Sequence, residues 1–242
     1  MKKLLLLLCI AFGVGSCKKE NSLAMEDPDW IRLEIPTGQE AYAIAGDVDK
    51  TLLVTTWTKA YYSTDRGKTW QESKNFQGPV PGLLVRNDTV FALKASGRNN
   101  EGQRFATMTT YCTIDYGVSW RSCAEYFPTP AGYAFYSDLV QPIGIAQTST
   151  GISYRIKENL TPLSSGSNSS HINPSEIRRE DNYGQQTVRF PFKHNLLNLY
   201  LDSSNHLYVA ASGSTFVEQT NGFYCCDDKM PAIVYVSKKP LP

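Results

Sequence analysis

Short apolar runs alternate with polar, glycine-containing turns along most of the chain after residue 30. The runs are rich in β-branched and aromatic residues, and no long stretch repeats its apolar positions with the helical period of ~3.6 residues. The runs come in pairs, at 41–45 with 51–56, 82–85 with 89–93, 142–146 with 151–156, and 198–202 with 206–211. The pattern therefore predicts an all-β chain of four repeat units that begin near residues 41, 82, 135 and 196.

The first apolar run differs from the others because it stands alone at the N-terminus. Leu4–Val14 is apolar and follows two positive residues, Lys2 and Lys3. A spanning helix needs ~20 apolar residues, so this run is too short to cross a membrane and has the length of a signal-peptide core. The sequence therefore predicts an exported protein with a signal peptide at residues 1–16.

The segment that follows the run, Val14-Gly15-Ser16-Cys17, resembles the lipobox of bacterial lipoproteins. The charged residues after it are similar to those of lipoproteins of the Bacteroidetes type. The resemblance implies cleavage before Cys17, a lipid on that cysteine, and a linker over residues 17–29. The membrane is then a partner through the lipid, and the location is the outer membrane of the cell envelope, with its inner or outer face left open. The alternative is an ordinary signal peptide followed by a chance cysteine.

The net charge of the chain limits the possible partners. The formal net charge is +1, and removal of Lys2 and Lys3 with the signal peptide lowers it to −1. A chain without an excess of positive charge has no field to attract nucleic acid, so we expect no nucleic-acid partner.

One motif, [S/T]-x-D-x-G-x-[S/T]-W, occurs twice, and its two aspartates lie 50 positions apart. Its chemistry is that of a tight turn, in which Asp caps backbone N–H groups, Gly adopts a positive φ, and the Trp ring packs over the turn. The motif positions are Ser63, Asp65, Gly67, Thr69 and Trp70 in the first copy and Thr113, Asp115, Gly117, Ser119 and Trp120 in the second.

These segments resemble the Asp-box (BNR) repeat of sialidase-like β-propellers, in which the box joins the third and fourth strands of a blade. The resemblance implies a small propeller of four or five blades over residues 30–242. We expect Trp30–Ile35 to pair with the last unit and close the ring. Asp227 stands where a degenerate box would lie, and the polar residues near 160–185 predict an insertion that could also hide a fifth blade.

Cysteines and histidines indicate no metal site. Cys112 and Cys123 flank a predicted hairpin turn and favour a disulfide, which export permits. Cys225 and Cys226 are adjacent and are expected to be free or separately paired. The three histidines, His171, His194 and His206, form no ligand pattern, so we expect neither a metal nor a cofactor.

The function predicted is a non-catalytic module of the cell envelope that binds a glycan or a protein. The resemblance to sialidases implies three arginines and a Tyr–Glu pair for an enzyme, but the Arg-Ile-Pro stretch of that family is missing, and we assign no catalytic residue. A glycoside hydrolase of sialidase type and an assembly factor for an envelope complex remain the alternatives. The candidate aromatic residues for stacking on sugars are Trp57, Tyr61, Tyr133 and Tyr136, and the candidate acids are Glu101, Glu125, Asp138 and Glu158.

Overall fold

Four antiparallel sheets account for most of the strands in a computed structural model of the protein. The structure describes residues 27–36, 38–123, 139–166, 169–224 and 230–242. Strand β1 (Trp30–Ile35) comes first and is followed by blade 1, which consists of β2 (Ala43–Gly46), β3 (Leu52–Thr55), β4 (Lys59–Ser63) and β5 (Gln71–Asn75). Blade 1 is a simple meander in which each strand pairs with the next.

Blades 2 and 3 contain the longest strands. Blade 2 consists of β6 (Gly82–Arg86), β7 (Thr89–Arg98), β8 (Arg104–Thr113) and β9 (Arg121–Ser122), and β10 (Gln141–Pro142) also pairs with β8. Blade 3 consists of β11 (Ile145–Gln147), β12 (Ser153–Pro162), β13 (Ser170–Asp181) and β14 (Gly184–Thr187).

Blade 4 combines the two ends of the described chain. Its strands are β15 (Leu196–Leu201), β16 (Leu207–Ala211), β19 (Ala232–Ser237) and β1, and the hairpin of β17 (Thr215–Val217) and β18 (Gly222–Tyr224) is inserted before β19. Strand β1 pairs with β19 from Trp30 opposite Ser237 to Ile35 opposite Ala232. The predicted ring closure is thus confirmed, and the fold is a four-bladed β-propeller.

The first strands of the blades lie around the centre of the propeller. Strand β2 contacts both β6 and β15, and β15 contacts β11. Strands β2, β3, β16 and β19 are buried along their whole length, because they lie between neighbouring blades and have apolar residues on both faces. The outermost strands β5 and β14 are largely exposed, which explains their polar sequences.

The polar stretch near 160–185 is not an insertion, which corrects the prediction from the sequence. It forms the end of β12, most of β13 and the start of β14, so it belongs to blade 3. Its polarity follows from the exposure of outer strands, since only Ser175 and Ile177 of β13 are buried. The predicted start of the third unit near residue 135 lies outside the described residues, and the first strand of blade 3 begins at Ile145.

The propeller has two faces with different connections. The Asp-box face carries the turns at 47–51, 64–70, 114–120 and 202–206. The hairpin face, at the opposite end, carries the β3–β4, β7–β8 and β12–β13 connections and the β17–β18 hairpin. Within the described residues, no helix is both long and apolar enough to cross a membrane.

Candidate functional site

The two Asp boxes form turns with the same set of hydrogen bonds. In the first, between β4 and β5, Asp65 Oδ1 accepts the Thr69 N–H at 2.9 Å and Asp65 Oδ2 accepts the Thr69 hydroxyl at 2.6 Å. The Ser63 hydroxyl donates to Asp65 Oδ1 at 2.8 Å, and its oxygen accepts the Gly67 N–H at 2.9 Å. The hydrogen bonds from Thr69, with that from Ser63, lower the pKa of Asp65 to about 2.

The second box repeats this geometry between β8 and β9. Asp115 accepts the N–H of Ser119 at 2.9 Å and its hydroxyl at 2.6 Å, and the Thr113 hydroxyl donates to Asp115 at 2.6 Å. Partial burial acts to raise the pKa of Asp115, but the hydrogen bonds from Ser119 and Thr113 outweigh it and the pKa is lowered. That the boxes serve stability rather than binding stays a prediction.

Each Asp box also packs against the preceding blade. The Trp120 indole N–H donates to Ser73 Oγ of blade 1 at 2.6 Å, and its ring lies 5.1 Å from that of Phe76. Gly117 packs against Leu53 of the same blade. In the first box, Gly67 packs against Leu33 of β1 in blade 4, and Trp70 packs against the core shared by blades 4 and 1.

The predicted cysteine pair is joined in the structure. Cys112 and Cys123 form a disulfide with their Cα atoms 6.0 Å apart, at the end of β8 and just after β9. Cys17, Cys225, Cys226 and Asp227 lie outside the described residues.

A cleft of about 280 Å³ opens on the hairpin face between blades 2 and 3, and we name it the arginine cleft. The β7–β8 hairpin forms one wall, β11 and β12 form the other, and Leu196 and Leu197 form the floor. Its charged lining residues in the described chain are Arg98, Arg104, Arg155 and Glu158. Positive charge is therefore in excess.

The hairpin places two of these arginines against each other. Arg98 and Arg104 are direct cross-strand partners in β7 and β8. Like charges in this position destabilise a sheet, and the nearest counter-charge is weakly placed, since Arg104 lies 3.9 Å from Glu158. Arg98 donates to the Gly102 carbonyl at 2.9 Å, which orients the guanidinium without neutralising it. An anion bound in the cleft would remove this repulsion.

The third arginine, Arg155, lies on the facing blade and has two side-chain partners. Arg155 Nε donates to Glu180 at 2.8 Å, and its Nη1 lies 3.4 Å from the Gln103 side-chain oxygen. Because Gln103 belongs to the β7–β8 hairpin, this contact ties the two walls of the cleft together. Gln103 also donates to the carbonyl of Ile143, another lining residue, at 3.1 Å.

A buried asparagine supports the wall of the cleft that contains β11. Asn198 of β15 accepts the Gly144 N–H at 2.8 Å and donates to the Pro81 carbonyl at 3.3 Å, so it joins the entries of blades 2 and 3 to blade 4. Sequence reasoning missed Asn198 as well as Arg98, Arg104 and Arg155. An isolated asparagine in an apolar run, at 198 in 196–201, was the one signal that could have found it.

A second cavity of about 190 Å³ continues the cleft along β12, and we name it the apolar pocket. It shares Arg104, Glu158, Leu196 and Leu197 with the arginine cleft. Its further lining residues are Leu160, Ile172, Ser175 and Asn195. The arginine cleft and the apolar pocket together form one groove.

The groove lacks a pair of acids for glycoside hydrolysis. Glu158 is the only carboxylate among its described lining residues, whereas hydrolysis of the usual kind uses two. Of the other candidate acids, Glu101 lies in the exposed turn of the β7–β8 hairpin, and Glu125 and Asp138 lie outside the described residues. Nowhere in the described chain do three His, Cys, Asp or Glu side chains group as metal ligands would.

A Tyr–Glu pair does occur on the hairpin face, next to the groove but not lining it. The Tyr42 hydroxyl donates to Glu40 at the entry to blade 1. Burial, together with the hydrogen bond to Glu40 and its charge, raises the pKa of Tyr42. An adjacent carboxylate is one way in which a hydroxyl nucleophile is activated, so the pair has the chemistry of a nucleophile and its base.

The predicted sugar-stacking residues separate in the structure. Trp57 is 58% exposed at the β3–β4 turn, and its ring lies 5.7 Å from that of Tyr42. Tyr61 is buried in the core between blades 4 and 1, so its prediction as a surface aromatic is wrong. Its position in β4 turns it towards the neighbouring blade. Tyr133 and Tyr136 lie outside the described residues.

No protein-family model matches the chain, and no curated protein matches its sequence. Among the solved structures that the chain resembles, three are similar at low identity over most of its length. One, "YCF48 bound to D1 peptide", is 10% identical with a TM-score of 0.26, over 76% of this chain and 66% of that one. "Structure of YjhT" is 11% identical with a TM-score of 0.29, over 81% and 67%. A putative gluconolactonase is 10% identical with a TM-score of 0.27, over 85% and 80%.

Proposed function

We propose that the protein is a non-catalytic binding module of the bacterial cell envelope whose anionic ligand lies in the arginine cleft. The observation that carries the proposal is the convergence of Arg98, Arg104 and Arg155 in one cleft, where Glu158 and Glu180 compensate only part of their charge. Two of the three arginines are cross-strand partners in a hairpin. Their repulsion destabilises the sheet, and a bound anion would offset it. Arginine also matches the planar geometry of a carboxylate.

The proposed anchor fits the orientation of this cleft. If Cys17 carries a lipid, the linker reaches β1 at Trp30, which pairs with Ser237 near the 202–206 turn of the Asp-box face. The ten residues from Cys17 to Asp27 span at most about 35 Å when extended. The Asp-box face would then lie towards the membrane, and the arginine cleft would face away from it, open to a ligand.

The direct test is a binding screen of the full-length chain in detergent against acidic and neutral glycans and acidic and neutral peptides. We expect acidic ligands to be retained and their binding to weaken as salt rises. Arg98→Glu with Arg104→Glu should abolish retention. Lys68→Glu is the matched control, because Lys68 is an exposed cation of the Asp-box face. Equal retention by the double variant and the wild type would refute the proposed site.

A hydrolase acting on acidic sugars is the second candidate, and one observation favours it. The Tyr42–Glu40 pair lies on the same face as the arginines, and the charge of Arg104 reaches Tyr42. Glu158 is the only carboxylate among the described lining residues of the groove, so we expect a fluorogenic sialoside to remain intact. Its cleavage by the wild type but not by Tyr42→Phe would establish the enzyme instead. An assembly factor would use the same groove for a segment of a protein complex and would copurify with that complex.

A further inference from the structure

We infer that the groove takes an extended peptide, with a carboxylate at the arginines and an aliphatic side chain in the apolar pocket. This inference rests on the proposed function, since it names the class of ligand for the same site. It assigns the apolar pocket as a second subsite, about four residues along an extended chain from the first.

The positive charge of the arginine cleft determines the first group of the ligand. Three guanidinium groups line the arginine cleft, and Glu180 and Glu158 compensate only part of their charge. Within the part of the chain that the structure describes, the guanidinium of Arg98 donates to one neutral partner, the Gly102 carbonyl. A carboxylate is the group that accepts from such a cluster in a bidentate manner. It can come from an acidic side chain or from the C-terminus of a chain.

Exposed aliphatic side chains set the second part. Leu160 and Ile172 are cross-strand partners in β12 and β13 and remain 55% and 47% exposed. Both line the apolar pocket, opposite Leu196 and Leu197. An apolar group that fills the cavity removes the exposed surfaces of Leu160 and Ile172 from water, which favours binding.

The shape of the groove favours a peptide over a sugar. Ile156, Glu158 and Leu160 are alternate residues of β12 and all line the groove. A regular strand rises by about 3.3 Å per residue, so the stretch from Ile156 to Leu160, which contains a β-bulge, spans at most about 13 Å, and four residues of an extended chain would cover it. No aromatic side chain is among the described lining residues, whereas sugar sites commonly stack the ring on one.

The test uses fluorescent five-residue peptides and the full-length chain in detergent. The first pair is capped Glu-Ser-Ser-Ser-Leu and the same peptide ending in Ser. The second pair has the reverse order of residues. The third pair has no glutamate, so that its only carboxylate is the free C-terminus. We expect the leucine peptides to bind about tenfold more tightly than their serine partners, and the pairs that bind identify the source of the carboxylate.

Variants assign the preference to the pocket. Leu160→Ser with Ile172→Ser should remove the tenfold preference for leucine while leaving binding of the serine peptides unchanged. The control is Leu163→Ser, because Leu163 is 53% exposed on the same hairpin and lines neither cavity. A leucine preference that survives in the double variant would overturn the inference.

The outcomes separate the inference from the proposed function. Binding that depends on the arginines without any leucine preference overturns the inference alone, as does binding of acidic glycans in place of peptides. Binding that is unchanged in Arg98→Glu with Arg104→Glu overturns both.

Discussion

Replacement of Gly117 by alanine tests whether the second Asp box presses on the neighbouring blade. Gly117 has φ +91°, and a Cβ built on it would lie 2.5 Å from Leu53 Cδ1 of blade 1. Gly102 provides a matched control, because it has φ +78° and a Cβ there would meet no atom within 4 Å. Both substitutions strain the backbone, but only Gly117→Ala also displaces a buried side chain.

The two costs can be separated. An alanine with a left-handed backbone costs about 1 kcal/mol of stability, and this cost applies at both positions. Overpacking against a buried leucine adds about 1–3 kcal/mol at Gly117 alone. In a chain of this size 1 kcal/mol changes Tm by about 2–4 °C, so a difference of about 2 kcal/mol places the two variants about 4–8 °C apart.

Chemical and thermal unfolding of wild type and both variants, with the disulfide oxidised, measures this difference. Leu53→Ala should remove the excess cost, so that Gly117→Ala in that background costs only about 1 kcal/mol. Equal losses in Gly117→Ala and Gly102→Ala, or no coupling with Leu53, would refute the packing of the box against blade 1.

Three further predictions concern stability. Loss of the Cys112–Cys123 bond, by Cys112→Ala with Cys123→Ala, should lower the free energy of unfolding by about 3 kcal/mol for a loop of 11 residues, with reductant then having no added effect on urea unfolding. Burial lowers the pKa of His194 below 6.5. As the solution is acidified, this side chain is therefore protonated in the unfolded chain before it is protonated in the folded chain. Stability should therefore fall as pH drops from about 7.5 to about 5.5, and fall less in His194→Asn; the same slope in both would count against this reading. Asn198→Ala leaves the Gly144 N–H and the Pro81 carbonyl without their buried partner and should cost about 2–4 kcal/mol, whereas a loss below about 0.5 kcal/mol in urea unfolding would contradict its bridging role.

Local signals in the sequence predicted much of the fold. The Asp boxes were found because Asp65 and Asp115 satisfy turns within four residues, a distance that a motif can record. The paired apolar runs predicted the inner strands, because β2 and β3 are buried on both faces and are therefore apolar throughout. Outer strands such as β13 and β14 were mistaken for an insertion, because exposure allows a strand to be polar and removes its apolar pattern.

The candidate site could not be predicted in this way. Arg98 and Arg104 meet Arg155 only because blades 2 and 3 are neighbours, and no local pattern marks side chains that converge from separate blades. The apolar pocket depends likewise on Leu160 of blade 3 and Leu196 of blade 4. The sequence predicted a propeller that binds a glycan or a protein, and the structure was needed to locate the groove.

Hydrogen–deuterium exchange of the full-length chain, with and without the tightest-binding acidic peptide, tests the central claim most directly. We expect the bound peptide to slow exchange in the β7–β8 hairpin from Arg98 to Arg104, at Ile143–Ile145 and around Leu160. Protection confined to the Asp-box turns at 64–70 and 114–120 would contradict the account, because it would move the ligand to the opposite face of the propeller.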